Sequence, residues 1–69
     1  MAGLRKTYRA LVKLGGEHIG PETIGKKLGI NTIDAEVWLN KLAESGLVRH
    51  SDYDNSWSVA GVPDWVDEP

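Results

Sequence analysis

The residue pattern predicts a mainly α fold: three helices followed by a small two-stranded β-hairpin. Three observations predict it. Apolar residues recur at helical spacing in the first two thirds of the chain, glycines and capping residues divide that part into three segments, and a polar–apolar alternation follows a turn-forming tetrad near the end.

The first helix is expected over residues 4–14. Leu4, Tyr8, Leu11 and Val12 fall at i, i+4, i+7 and i+8, with Leu14 just beyond, and Arg5, Arg9 and Lys13 form a basic edge beside that stripe. Gly15 and Gly16 end it, because glycine enters the left-handed region at little cost. Glu17-His18-Ile19 is long enough only for an extended connection or a small strand. A second helix starts at Pro21, whose fixed φ suits the first helical position, with Glu22 placed where a carboxylate meets the positive helix end. Ile24 and Leu28 face inward, Gly29 stops the helix, and Ile30 returns to the core. Asn31 caps a third helix over residues 32–45, with Asp34 at N3 in a variant of the capping box; Ala35, Leu39 and Leu42 line its inner face and Gly46 terminates it. Residues 47–50 read as a strand, Asp52-Tyr53-Asp54-Asn55 as a turn, and Ser56-Trp57-Ser58-Val59 as a half-buried second strand with Trp57 and Val59 inward. Residues 1–61 thus form one domain, and residues 62–69, with two prolines and three acids around Trp65, an irregular acidic tail.

At 69 residues, 41% hydrophobic and 26% charged, the chain holds one small core and little room for a deep pocket. A domain of this size buries only about 60% of its unfolded surface, so the tail is expected to fold back and add the area of Trp65 and Val66. The sequence has no cysteine, which excludes disulfides and thiolate metal sites. His18 and His50 have no carboxylate or cysteine cluster of metal-ligand spacing, so no metal or other cofactor is expected. No nucleophile–base arrangement, carboxylate pair or phosphate loop appears, and the chain is not expected to be an enzyme. No apolar run approaches membrane-spanning length and residues 1–6 lack a hydrophobic signal segment, which points to a soluble, cytoplasmic protein with no membrane partner. The net charge of −2 is divided unevenly. Residues 1–50 carry eight basic and five acidic side chains, a net of +3, and residues 51–69 carry five acids and no base, a net of −5.

The motif Ile24-Gly25-Lys26-Lys27-Leu28-Gly29-Ile30 resembles the first helix and turn of a helix-turn-helix, with the small Gly25 admitting the neighbouring helix and Gly29 taking the turn. The stretch from Leu39 through Leu42 and Gly46-Leu47-Val48-Arg49 resembles the end of a recognition helix and the first wing strand, and Trp57-Ser58-Val59-Ala60-Gly61 the second wing strand. Together they are similar to winged helix-turn-helix domains of the MarR and ArsR kind over residues 4–61. The resemblance implies a DNA-binding protein, a transcription regulator or an accessory factor of phage or mobile-element type. It would place the outward positions of the third helix in the major groove. By register from Gly25 and Gly29 these are Asn31, Thr32, Ile33, Glu36, Val37 and Asn40, with phosphate contacts from Lys41, Lys26, Lys27, Arg5 and Arg9. A single small winged helix often dimerises on palindromic duplex DNA, so a homodimer is among the expectations.

The wing departs from that pattern. Its tip carries Asp52 and Asp54 where DNA-binding wings carry cations, and Glu36 stands on the reading helix. An alternative therefore stays open: a protein-interaction module, an adaptor or inhibitor, meeting a protein partner through Ile33, Val37, Trp38, Tyr53 and Trp65 without binding DNA. Trp38 belongs to that patch if it is half exposed, and to the interior if it packs under the wing or the tail.

Overall fold

The computed structural model describes residues 3–63. It contains α1 (Leu4–Lys13), α2 (Pro21–Leu28), α3 (Thr32–Glu44), β1 (Val48–Ser51) and β2 (Ser56–Val59), a mainly helical domain with one antiparallel hairpin. This layout is compatible with a winged helix. The expectation of a folded-back tail around Trp65 lies outside the described residues.

The punctuation between helices acts as its chemistry requires. Pro21 opens α2 at N1, and Gly29 closes it in the left-handed conformation with φ 73°. The Asn31 side chain accepts a hydrogen bond from the Asp34 amide at 2.7 Å and caps α3. Gly46, at φ 78°, follows Ser45, the C-cap of α3. The α2–α3 turn is tight because of Gly25. A Cβ there would lie 2.9 Å from the Ile30 carbonyl oxygen, closer than a side chain tolerates.

The core gathers one face of each element: Tyr8 and Leu11 from α1, Ile24 from α2, Ala35, Leu39 and Leu42 from α3, Val48 from β1 and Trp57 from β2. Leu47 and Val59 pack against it from its edge. In α1 the buried face is rotated from the expected stripe. Thr7 is fully buried, whereas Leu4 and Val12 are exposed. Thr7 can occupy the interior because its hydroxyl donates to the Gly3 carbonyl at 2.8 Å. The other differences are of one residue: α1 ends at Lys13, α3 at Glu44, and β1 runs one residue later than expected.

β2 is paired on both sides. Val48, Arg49, His50 and Ser51 face Val59, Ser58, Trp57 and Ser56, and on the other side the Ile19 and Trp57 backbones exchange hydrogen bonds of 2.9 and 2.8 Å. The connection after α1 thus meets the two-stranded sheet through one isolated bridge at Ile19, which ties the hairpin to the helical part. Trp57 is buried with its ring 4.3 Å from that of His50, and its indole Nε1 has no hydrogen-bond partner among the described residues.

Candidate nucleic-acid interface

α3 packs on one side only. Ala35, Leu39 and Leu42 are buried, while Asn31, Ile33, Val37, Asn40 and Lys41 are exposed and Thr32 and Glu36 half-buried. Helical spacing places Ile33 and Val37 in one row and Thr32, Glu36 and Asn40 in the row beside it, so the positions expected to read a groove do share one surface. Ile33 is 73% exposed. Trp38 is half-buried, and the Lys41 ammonium stands 6.0 Å from its ring centroid, within reach of a cation–π contact. Of the described members of the alternative interaction patch, Ile33, Val37 and Tyr53 are thus open, with Trp38 only partly available.

The wing is short, and it is fastened down. The Ser56 hydroxyl donates to Asp54 Oδ1 at 2.6 Å, and His18 Nδ1 lies 3.3 Å from Ser56 Oγ and 3.8 Å from Asp54 Oδ2. The His18 amide donates to Ser58 Oγ at 3.0 Å. His18 holds this position at φ 52°, a left-handed conformation uncommon outside glycine, so the α1–α2 connection is bent to meet the wing. The Ser56 hydrogen bond, with Ser51 and His18 adding to it, keeps the Asp54 carboxyl below its ordinary range against a smaller opposing effect of desolvation. A carboxyl so lowered stabilises the fold at every pH above its unfolded value, and that contribution disappears as the pH falls through the lowered value. On the other side of the tip, His50 Nδ1 lies 3.1 Å from Asp52 Oδ1, and Nε2 donates to Asn55 Oδ1 at 2.8 Å. Tyr53, between them, is 98% exposed.

The tip meets the starts of α2 and α3. Glu22, Thr23, Thr32, Glu36, Asp54 and Asn55 line one open cleft with Gly20 and Pro21, so carboxylates from α2, α3 and the hairpin turn border the same space. In the sequence Glu22 reads only as a helix-end charge, with nothing to join it to Glu36 and Asp54. Local spacing carries no such signal, because these residues come to border one cleft only through the packing of the hairpin.

The cations lie elsewhere. Lys27 lines a groove with Lys6, Arg9 and Lys13 over a floor of Ala10 and Leu28, between α1 and α2. Lys26, Lys41 and Arg5 are exposed on α2, α3 and α1. Of the cations expected to meet phosphate, Lys27 and Arg9 thus share one groove, with Lys6 and Lys13 beside them. The acidic cleft, not a cation, lies between α3 and the tip of the hairpin. Among the described residues no group of three or more His, Asp or Glu side chains converges as metal ligands would, and no helix is long and apolar enough to cross a membrane. Compared with protein-family models, curated proteins and solved structures, the chain matches none.

Proposed function

We propose that this is a small, non-enzymatic winged helix-turn-helix protein that binds double-stranded DNA, as a regulator or accessory factor. In this reading α3 enters the major groove, with Thr32, Ile33, Val37 and Asn40 toward the base edges. Lys26, Lys27, Lys41, Arg5 and Arg9 neutralise phosphates. The observation that carries the reading is the unpacked face of α3, which joins an amide and a hydroxyl able to pair with base edges to aliphatic groups that suit thymine methyls. The wing contributes no phosphate contact in this account. Asp52, Asp54 and Glu36 would repel the backbone where it passed, so affinity rests on the helices.

A second reading has its own support. The same face of α3, with Ile33 and Val37 open and Glu22, Glu36 and Asp54 beside it, suits a protein partner that offers an apolar anchor ringed by basic residues.

Substitution separates the two. With Lys26→Ala and Lys27→Ala combined, duplex affinity falls for all sequences alike and the log–log salt slope becomes shallower by roughly 2, about one for each phosphate left without its lysine. Asn40→Ala leaves the slope in place and lowers affinity only for preferred sequences. An unchanged slope in the double lysine variant contradicts the proposed phosphate contacts and favours the protein-binding reading.

A further inference from the structure

The chain has two histidines, and each stands against one of the two aspartates at the hairpin tip. His50 Nδ1 lies 3.1 Å from Asp52 Oδ1 and its Nε2 2.8 Å from Asn55 Oδ1, while the ring lies 4.3 Å from that of Trp57. Both ring nitrogens therefore meet acceptor oxygens. An imidazolium donates to both at once, whereas a neutral imidazole has a single N–H and must give up one of the two. On the other side of the tip, His18 Nδ1 lies 3.8 Å from Asp54 Oδ2, held there by a left-handed backbone at φ 52°.

The histidines, not the aspartates, set how the charge of the tip varies. Asp54 stays ionised because the Ser56 hydrogen bond, more than the nearby His18, holds its carboxyl below the ordinary range. The other charged groups bordering the tip come from its neighbours: Glu22 of α2 and Glu36 of α3 in the cleft with Asp54 and Asn55, and Glu17 and Arg49 in the cleft with His18. Between pH 5 and 8 histidine is the side chain that ordinarily changes charge. With neutral imidazoles Asp52 and Asp54 give the tip a charge of −2, and two imidazolium ions bring it to zero.

We propose that the hairpin tip is a pH-sensitive switch. With His18 and His50 neutral it is acidic and repels phosphate; with both protonated it closes on Asp52, Asn55 and Asp54 and the repulsion is withdrawn. Exposed ion pairs of this kind add little stability, but the switch needs only their charge. The closure stands on the geometry of the tip, and its effect on affinity rests on the DNA reading.

The test uses the full chain labelled with ¹⁵N. Between pH 7.5 and 5.5 the Asp52 and Asn55 amides and the Trp57 indole are expected to shift together with the His50 ring, and His50→Gln should remove that response. Tip signals that stay in place while the His50 ring titrates overturn the proposal. Over the same range, wild-type affinity for random duplex DNA at low salt should rise about fivefold, as two carboxylates near phosphate are offset, and the gain should shrink at high salt. The variant combining His50→Gln with His18→Asn, which keeps at position 18 a residue tolerant of the left-handed region, should bind equally at both pH values. A gain retained in that variant overturns the switch, as does wild-type duplex binding that does not change with pH. Shifts at the tip with no duplex bound at either pH uphold the closure and overturn the DNA reading instead.

Discussion

Leu39→Ala is expected to lower the stability of the domain by about 2–5 kcal/mol, enough to unfold much of it. Leu39 is completely buried on the inner face of α3, in one cluster with residues from the other two helices and the hairpin. Removing its branched end loses both transfer energy and packing around a cavity that Ala35 and Leu42 on the same helix cannot readily fill. A small domain has little margin against this, so the melting temperature should drop by roughly 10–25 °C. Ile33→Ala removes a comparable aliphatic group from the opposite face, where Ile33 is 73% exposed, and should change stability by about 0.5 kcal/mol or less. Thermal melts of the two variants by circular dichroism check the assignment of inner and outer faces. A larger loss in Ile33→Ala than in Leu39→Ala would mean that α3 is packed the other way round.

The second large effect is electrostatic. Replacing Asp52 with Lys and Tyr53 with Arg is expected to strengthen binding to random duplex DNA by about tenfold or more at low salt, since each added phosphate contact steepens the log–log slope by roughly 0.9. These two positions are chosen on structural grounds. Tyr53 is 98% exposed, and Asp52 contacts only the His50 ring among the described residues. Asp54 is a poorer choice despite its equal charge, because it accepts from Ser56 and stands near His18, and its replacement would loosen the wing itself. Binding measured by fluorescence anisotropy at two salt concentrations suffices. No gain would mean that the wing stays away from the duplex altogether.

Much of the fold can be read from local chemistry, and the residues show why. Pro21, Gly29, Asn31 and Gly46 each do one thing that few other residues can, and that role does not depend on what lies across the core. Gly25 is similar, since only the absence of a Cβ lets the Ile30 carbonyl approach. The α1 stripe is less legible. Hydrophobicity favours Val12 over Thr7 as a buried residue, but the helix orientation is set by contacts with α2, α3 and β2, and the Thr7 hydroxyl is satisfied by the Gly3 carbonyl one turn back. The candidate site is legible only in part. Register alone places Thr32, Ile33, Glu36, Val37 and Asn40 on one face of α3. The cleft of Glu22, Glu36 and Asp54, and the fastening of His18 to the wing, join residues many positions apart and depend on the bend at His18, which no composition rule anticipates.

In the proposed DNA-bound state the helices, and not the wing, hold the duplex. The salt dependence of wild-type affinity for random duplex DNA tests it most directly. Three to five phosphates neutralised by Arg5, Arg9, Lys26, Lys27 and Lys41 correspond to a log–log slope of roughly −3 to −4.5, with weak binding at physiological salt. No detectable binding at low salt would contradict the account and leave the protein-binding reading of α3. Affinity tighter than about 10 nM at physiological salt would contradict it from the other side, by showing that the acidic wing does not keep phosphate away.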